Sequence, residues 1–261
     1  MNPYLNIATQ SVRLGAKQLL QSMDRIDRLE ITEKSTHDFV STADLLSERV
    51  IIENLQKYYP DIPILSEEHG LIKAKDTEYM WILDPLDGTT NFLKGIPHFA
   101  ISLALTQNDK TVLSVVYDPV KDELFSASKG QGAYCNNNRI RVKNNIKLQH
   151  AYIGLGGPKY HMQEHQQAHH NMTVDLMLHS LSTRRLGSAS LDICYLAAGR
   201  FDAYWGVLLN KWDIAAAELI AREAGAIVAD FSGNASNIPQ EILIAPPKLL
   251  HELLTIIEKH N

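Results

Sequence analysis

The sequence predicts a layered fold of the α+β or α/β class, because helical and strand patterns mix in both halves of the chain. An amphipathic helix opens the chain, short apolar segments separated by turn residues fill its middle, and helices and strands alternate in its second half. With 261 residues, 45% of them hydrophobic, the chain can bury a substantial core. We expect a single domain over residues 1–261, with halves at residues 1–148 and 149–261.

Two helices are predicted near the N-terminus. Apolar residues share one face of the first, at Leu5, Val12, Ala16, Leu19 and Met23. This segment lacks the continuous apolar core of a signal peptide. The second helix is predicted to begin after Ser41 and Thr42 and to end at Tyr59, because Pro60 follows.

Strands are predicted to fill the middle of the chain. Residues 62–65 form one short apolar strand, and the stretch YMWIL forms the next, which ends at Asp84. From His98 onward, apolar runs alternate with turn pairs such as Asn108–Asp109 and Asp118–Pro119. This alternation predicts an antiparallel meander.

The second half is predicted to alternate between helices and strands. Residues 187–199 carry a helical stripe, and the stretch RFDAYWGVLL reads as a strand. The stretch WDIAAAELIAREAG predicts a helix with Gly225 just beyond its C-terminal cap. Two short strands, AIVADF and EILIA, and a helix over residues 248–259 complete the chain.

Composition argues against several classes of protein. A net charge of −5 is unlike that of a general electrostatic binder of nucleic acid. The two cysteines, Cys135 and Cys194, make no disulfide framework and lack metal-ligand spacing, so we expect reduced thiols in a cytoplasmic protein. The apolar run FAISLAL is too short to span a bilayer, and we expect no membrane partner.

Carboxylates recur at predicted strand ends and helix starts. They are Glu67 and Glu68 after one strand, Asp84 and Asp87 after the next, Asp213 at one helix start and Asp44 near another. Carboxylates gathered at one edge of a sheet, where its strands end, repel each other and need shared protons or bound cations. Since hard oxygen ligands favour hard cations, the pattern predicts a site for Mg²⁺, Mn²⁺ or Ca²⁺ rather than Zn²⁺.

The stretch LDPLDGTTNF adds a second element to this predicted site. Gly88 permits a tight backbone, and the residues after it are predicted to begin a helical turn whose N–H groups attract phosphate. Metal-binding carboxylates beside a phosphate site favour metal-assisted phosphoryl hydrolysis. Each acid also has a simpler interpretation: Asp-Pro and Asp-Gly as turns, Asp213 as a helix cap, and Glu67 and Glu68 as a solvated loop.

Four segments, in this order, resemble the motifs of the inositol monophosphatase family. They are KSTHDFVSTAD, ILSEEHG, WILDPLDGTTNF and WDIAAAELIAREAGA. The likeness extends over nearly the whole chain and, among subgroups, is strongest to the bacterial SuhB-type enzymes. The resemblance implies a five-layer αβαβα sandwich, a homodimer, and a lithium-sensitive phosphatase for inositol monophosphate or a related polyol or sugar phosphate.

The resemblance also implies a set of metal ligands. Glu67, Asp84 and the carbonyl of Leu86 would hold a first Mg²⁺. Asp84, Asp87 and Asp213 would hold a second, with Asp84 shared between the two ions. A third, weaker Mg²⁺ would share Glu67, which gives two or three ions in total, with Mn²⁺ as a substitute.

For catalysis, the resemblance implies that Thr89, hydrogen-bonded to Asp44, orients the attacking water, with Glu67 as the third member of the catalytic group. The backbone amides of Gly88 and Thr89 would hold the phosphate, and Asp87 would face the leaving group. The second metal would neutralise the developing alkoxide, and no covalent intermediate is needed.

One position departs from the family pattern. Seven residues before Asp213, members that act on inositol phosphates have a glutamate that binds substrate hydroxyls, whereas this chain has Gly206. The resemblance implies that Ala189 lines the same pocket. Because a site built for hydroxyl pairing loses discrimination when one partner is removed, we expect weaker or broader recognition of polyol phosphates.

Three smaller features each have two interpretations. His161, His165 and His169 recur every four residues, either as a Zn²⁺ or Ni²⁺ site on one helical face or as part of a solvated surface. Arg184–Arg185 is either a phosphate or partner contact or a plain surface pair. Lys34 either helps to position phosphate or is solvated.

Two functional alternatives stay open. The same chemistry could act on fructose 1,6-bisphosphate, histidinol phosphate or a nucleotide 3′-phosphate. The resemblance to SuhB-type proteins also implies a regulatory partner in transcription complexes, which would need a surface rather than a metal site. The acidic balance of the chain makes direct nucleic-acid binding the weaker form of that idea.

Overall fold

The structure is a computed structural model, and it describes residues 2–26, 31–35, 38–75, 78–156, 166–207, 209–234 and 241–260. The helices in these ranges are α1 Pro3–Met23, α2 Thr42–Tyr58, α3 Thr89–Leu93, α4 Gln166–His179, α5 Ala189–Ala197, α6 Lys211–Glu223 and α7 Pro247–Ile257. A short 3₁₀ helix covers Leu148–His150. None of the helices in this part of the chain combines the length and apolarity needed to cross a membrane.

The strands within these described ranges form three sheets. A hairpin pairs β1 Ile31–Ser35 with β2 Asp38–Ser41. The large sheet contains β3 Ile64–Ser66, β4 Gly70–Ile72, β5 Tyr79–Asp87, β6 Ala100–Gln107, β7 Lys110–Asp118, β8 Glu123–Ser128, β9 Ala133–Cys135 and β10 Asn138–Ile140, in the order β10-β9-β8-β7-β6-β5-β3-β4. The smaller sheet contains β11 Tyr152–Gly156, β12 Ser182–Arg184, β13 Ala203–Val207, β14 Ile227–Ala229 and β15 Glu241–Ala245, in the order β12-β11-β13-β15-β14.

These elements stack in five layers. Helices α1 and α2 pack together on one face of the large sheet, and α5 and α6 pack on its other face. The same α5 and α6 also contact the smaller sheet, whose far side carries α4 and α7. The order is therefore αβαβα, which confirms the predicted layered fold.

Three apolar clusters fill the spaces between the layers. The first lies between α1, α2 and the large sheet and includes Val12, Ile51 and Trp81. The second surrounds α5 and α6 and joins the two sheets, and the third lies beneath α4 and α7. The middle cluster matters most for function, because polar residues at one edge of this layer form the candidate site.

Helix α6 shows how local sequence sets an element. Its buried face includes Ile214, Ala217 and Ala221, which confirms the predicted stripe. Gly225 follows the helix with φ of +99°, and its N–H bonds to the carbonyl of Arg222 while the next N–H reaches Ala221. This paired closure is the Schellman motif, and it needs a left-handed residue that glycine supplies without strain.

The middle of the chain confirms the predicted meander, since each strand from β5 to β10 pairs antiparallel with the next. The β1–β2 hairpin differs from the prediction, because no strand is predicted from the sequence between the first two helices. Its first strand, ITEKS, is short and polar. Such a segment has too few apolar residues for a visible period of two.

Candidate active site

A bulge in β5 places Asp84 and Asp87 on the same side of the large sheet. Asp84 is paired with Ser102 and Asp87 with Ala100, so three steps along β5 match two steps along β6. In a regular strand, residues three apart point to opposite faces, but one extra residue restores the same face. Both carboxylates therefore lie on the side of α5 and α6, whereas Leu86 packs with the cluster beneath α1 and α2.

Asp84 lies at the centre of a group of mutually repelling carboxylates. It is 1% exposed, and its carboxylate accepts the N–H of Leu86 at 2.9 Å. Burial raises the pKa of Asp84 well above its usual range, and repulsion from Glu67, Asp87 and Asp213 raises it further. The Leu86 N–H opposes this rise. The site therefore concentrates negative charge that a cation would neutralise.

Asp87 is held by the start of α5. Its carboxylate accepts the Ser188 hydroxyl at 2.6 Å, the Ala189 N–H at 3.2 Å and the Ser190 N–H at 2.7 Å, together with the Ser190 hydroxyl. Burial raises the pKa of Asp87, and the hydrogen bonds from Ser188 and Ser190 oppose that rise. Ala189, which is half-buried, thus contributes its backbone to this edge of the site.

Asp44 and Asp213 occupy equivalent positions in two different helices. Each is the third residue of its helix and accepts the N–H of the residue that caps it, Ser41 at 2.9 Å and Asn210 at 2.6 Å. Asp213 therefore contributes to capping α6, as the simpler interpretation of it as a helix cap predicts. It does so from the third helical position, because the N-cap residue itself is Asn210. The negative charge of Asp213 also raises the pKa of Asp84, so its effect extends beyond capping the helix.

Thr89 links two parts of the predicted catalytic group. Its hydroxyl lies 3.1 Å from the Leu86 carbonyl oxygen and 3.4 Å from Asp44 Oδ1, both of which can accept its proton. Gly88 caps the short helix α3 with φ of +98°. A Cβ on Gly88 would lie 3.1 Å from the carbonyl oxygen of His98, so both conformation and space require glycine here.

Glu67 is half-buried beside β3, and its N–H donates to the Leu83 carbonyl at 3.2 Å. The segment that follows it is fastened by Glu48, a fully buried residue of α2 that the sequence reading missed. Glu48 accepts the N–H groups of Glu68 and His69, each at 3.2 Å, as well as the Ser66 hydroxyl. A charged residue on the apolar face of an amphipathic helix is the signal that could have identified it.

Asn91 is a second residue that the sequence reading missed. Its side-chain amide donates to the carbonyl oxygens of His98 and Leu186, each at 2.7 Å. His98 in turn pairs with Asp192 of α5 at 3.2 Å. These contacts join the loop after α3 to the loop before α5. No local pattern in the sequence marks them, because the partners are distant in the chain.

As the side chains lie, the described residues include no group of three or more His, Cys, Asp or Glu residues arranged to hold a metal ion. Asp84, Asp87 and Asp213 instead direct oxygens toward N–H or O–H donors. The set nevertheless fits Mg²⁺ by its chemistry, since it consists of hard oxygen donors with unbalanced negative charge.

The remaining predicted residues lie in different surroundings. Gly206 is buried near the end of β13, directly opposite Gly156 of β11. Arg184 and Arg185 are exposed, and the Arg184 guanidinium lies over the Tyr152 ring. The side chains of Lys34, His161, His165 and His169 lie outside the described residues, so their two interpretations stay as predictions.

Comparison with known proteins agrees with this arrangement. The family model described as "Inositol monophosphatase family" matches residues 1–261. The protein named Nus factor SuhB from Pasteurella multocida is 43% identical over 259 residues, which cover 99% of this chain and 97% of that protein. This match confirms the predicted resemblance to SuhB-type proteins.

Solved structures show the same fold. The extragenic suppressor protein suhB from Bartonella henselae superimposes with a TM-score of 0.94 at 35% identity over 98% of each chain. An inositol monophosphatase from Anabaena gives a TM-score of 0.85 at 30% identity, over 98% of this chain and 95% of that one. By sequence over its full length and by fold, the chain belongs to the inositol monophosphatase family.

Proposed function

We propose that this protein is a Mg²⁺-dependent phosphomonoesterase that hydrolyses inositol monophosphate or a related polyol or sugar phosphate by direct attack of water. Membership of a phosphatase family supports the reaction class. Unaided hydrolysis of phosphate monoesters is among the slowest reactions known, with enzymatic accelerations of up to about 10²¹-fold. A site for this reaction must therefore concentrate charge and position the reactants.

The observation that carries the proposal is the bulge that turns Asp84 and Asp87 to one face of β5. There they share an electrostatic environment with Glu67 and Asp213, which come from two other segments of the chain. Such a cluster is costly in a folded protein unless protons or cations balance it. A purely structural role would leave this repulsion between carboxylates uncompensated, whereas bound divalent cations would offset it.

We assign the ligands as the family pattern does. Glu67, Asp84 and the Leu86 carbonyl would hold one Mg²⁺, and Asp84, Asp87 and Asp213 would hold another. Bound Mg²⁺ would supply positive charge that makes water a better nucleophile and offsets the charge of the departing oxygen. A third ion sharing Glu67, and replacement by Mn²⁺, belong to the same proposal.

The residues around the cluster would handle water and phosphate. The hydroxyl of Thr89 lies 3.4 Å from Asp44 Oδ1 and would orient the attacking water. A proton released by that water would pass through the Thr89 hydroxyl to the buried carboxylate of Asp44. The backbone N–H groups of Gly88 and Thr89 would hold the phosphate oxygens. The left-handed conformation of Gly88 supports this role, because it starts α3 at a position where a Cβ would press on the carbonyl oxygens of His98 and Gly187.

The test is phosphate release from a panel of inositol, sugar, polyol and nucleotide phosphates, with and without Mg²⁺ and Li⁺. We expect Mg²⁺-dependent release that Li⁺ inhibits, strongest on polyol or sugar monophosphates. Preference for fructose 1,6-bisphosphate, histidinol phosphate or a nucleotide 3′-phosphate would keep the chemistry and change the substrate. The absence of Mg²⁺-dependent release from every compound would contradict the proposal.

A second candidate function is a regulatory role in transcription. It is supported by the name Nus factor SuhB that a relative with 43% identity carries. This role would use a surface and would not require catalysis. An Asp87→Ala variant separates the two, because a cellular phenotype that survives complete loss of phosphatase activity would favour the regulatory role, and one lost with activity would favour the enzyme.

From family resemblance alone, we also propose that the protein is a cytoplasmic homodimer. Light scattering on the purified protein should give about twice the chain mass. A monomer at micromolar concentration would contradict the dimer without affecting the proposed chemistry.

A further inference from the structure

The side chain of Asn91 holds two loops of the candidate active site together, and the proposed mechanism gives it no role. Asn91 is a buried residue of α3, two positions after Thr89. Its side-chain amide donates one hydrogen to the His98 carbonyl oxygen and the other to the Leu186 carbonyl oxygen, each at 2.7 Å. Because both amide hydrogens are used and both acceptors are backbone atoms, Asn91 fixes the separation of the two loops.

Two glycines pack closely against the groups that Asn91 holds. A Cβ on Gly88 would lie 3.1 Å from the His98 carbonyl oxygen and 3.3 Å from the Gly187 carbonyl oxygen. A Cβ on Gly187 would in turn lie 3.0 Å from Asn91 Nδ2 and 3.2 Å from Asn91 Oδ1. Gly88 therefore lies in a narrow slot between the His98 and Gly187 carbonyls, and the two walls of this slot belong to the loops that Asn91 joins.

The loop after α3 is also fastened by bonds that do not involve Asn91. The ring of His98 pairs with Asp192 of α5 at 3.2 Å, and the Lys121 ammonium donates to the Pro97 carbonyl oxygen at 2.9 Å. Both contacts remain when Asn91 is substituted. We therefore expect the loop to stay attached to the fold in such a variant, while the width of the slot changes.

We propose that Asn91 is a positioning residue for phosphate binding. Its amide sets the width of the slot that holds Gly88, and thereby aligns the backbone N–H groups of Gly88 and Thr89 with a bound phosphate. The inference rests on the proposed phosphatase function and deepens it, by adding a residue that acts without touching substrate or metal. The role needs a short, neutral side chain that donates two hydrogen bonds, which serine and ionised aspartate do not provide.

The test measures binding of inorganic phosphate by titration calorimetry at saturating Mg²⁺, for wild type, Asn91→Ala and Asn91→Ser. We expect the dissociation constant of phosphate to rise at least about tenfold in Asn91→Ala, because small misplacements of binding groups cost up to about 10²-fold. Serine can donate only one hydrogen bond, so Asn91→Ser should show a smaller rise and decides the test if the alanine variant does not fold. Mg²⁺ binding without phosphate should stay unchanged, since the Asn91 amide bonds to none of the proposed metal ligands.

Asn54→Ala is the matched control. The Asn54 amide also donates a side-chain hydrogen bond, at 2.8 Å to the Ser11 hydroxyl, but it joins α2 to α1 outside the candidate active site. Urea midpoints in EDTA should fall in both alanine variants, whereas only Asn91→Ala should bind phosphate more weakly, with a parallel rise in KM for inositol 1-phosphate. Equal weakening of phosphate binding in Asn54→Ala would overturn the inference, because the effect would then follow from lost stability alone.

The outcomes also separate this inference from the proposed function. Unchanged phosphate affinity in the folded Asn91 variants, with an active wild type, would overturn the positioning role and leave the phosphatase proposal intact. If wild type neither bound phosphate in the presence of Mg²⁺ nor released it from any phosphate ester, the proposed function would fail and this inference with it.

Discussion

The backbone N–H of Ser190 donates to the carboxylate of Asp87 at 2.7 Å, joining two residues that lie 103 positions apart in the chain. The Ser190 hydroxyl donates to the same oxygen. Because Asp87 is a candidate metal ligand on the large sheet and Ser190 begins α5 of the middle layer, the two halves of the chain meet in this bond. The geometry of the site thus depends on how these layers pack.

Substitution of Ser190 by alanine should test how strongly α5 holds Asp87. Loss of a buried hydrogen bond to a carboxylate should lower the free energy of unfolding by about 2 kcal/mol in EDTA, measured by urea denaturation. Ser114→Ala is the matched control, since the Ser114 hydroxyl is buried without a partner in the described part of the chain. The control loses no hydrogen bond and removes a buried hydroxyl without a partner, so it should not lose stability, and equal losses in both variants would contradict the assigned role.

Asp192 should make stability depend on pH. Burial raises its pKa to about 6, against the hydrogen bond from His98, compared with 3.8 for an unperturbed aspartate. Since the folded pKa is the higher one, the favourable contribution of protonated Asp192 is present below about pH 4 and is lost as pH rises through about 6. Asp192→Asn cannot ionise, so its stability relative to wild type should improve by about 2 kcal/mol between pH 4 and pH 7. Urea midpoints in EDTA across this range measure the effect, and a difference independent of pH would refute it.

Gly88 should tolerate alanine poorly. Its φ is +98°, and a Cβ would press on the carbonyl oxygens of His98 and Gly187, at 3.1 and 3.3 Å. Gly88→Ala should therefore lose about 2 kcal/mol or more of stability. Gly95→Ala is the control, because Gly95 also has a positive φ of +68° but nothing lies within 4 Å of its Cβ position. That variant should lose only about 1 kcal/mol, and similar losses in thermal unfolding would mean that the close contacts at Gly88 have no effect.

Glu48 should act on the metal site indirectly, by fixing the segment that follows Glu67. Glu48→Gln loses one of two acceptor oxygens, so we expect the half-saturating Mg²⁺ concentration for phosphate release to rise about tenfold, as is usual for residues that orient metal ligands. Glu53→Gln on the same helix is the control, since Glu53 is exposed and pairs only with Arg49 at 3.2 Å among the described contacts. A Mg²⁺ requirement that stays the same in Glu48→Gln would show that the segment is positioned without it.

The sequence was informative where local pattern determines structure. The faces of α1 and α6 follow from apolar periodicity, and the end of α6 follows from Gly225. Chain order and turn residues were sufficient for the meander from β5 to β10. The acids of the LDPLDGTTNF stretch were identified because they come after an apolar segment, but the prediction that the strand ends at Asp84 was wrong, since β5 continues through a bulge to Asp87.

The remaining features depend on pairing across the chain. Only the register of β5 against β6 reveals the bulge that brings Asp84 and Asp87 to one face. Asn91 donates hydrogen bonds to two carbonyl oxygens, one of which belongs to a loop far away in the chain. The hydroxyl of Tyr204 is buried without a hydrogen-bond partner among the described residues, which only the three-dimensional packing reveals. Such contacts have no signature in a single sequence.

The most direct test of the central claim is Mg²⁺ binding by wild type and Asp84→Asn, measured by titration calorimetry together with phosphate release. Asp84 is the ligand shared by both proposed ions, and its carboxylate is repelled by Glu67, Asp87 and Asp213. We predict that wild type binds Mg²⁺ and releases phosphate, that Asp84→Asn loses at least about 10³-fold of the activity along with measurable binding, and that Asp109→Asn, at an exposed turn, retains both. Mg²⁺ binding and phosphate release by Asp84→Asn at the level of wild type would contradict the account.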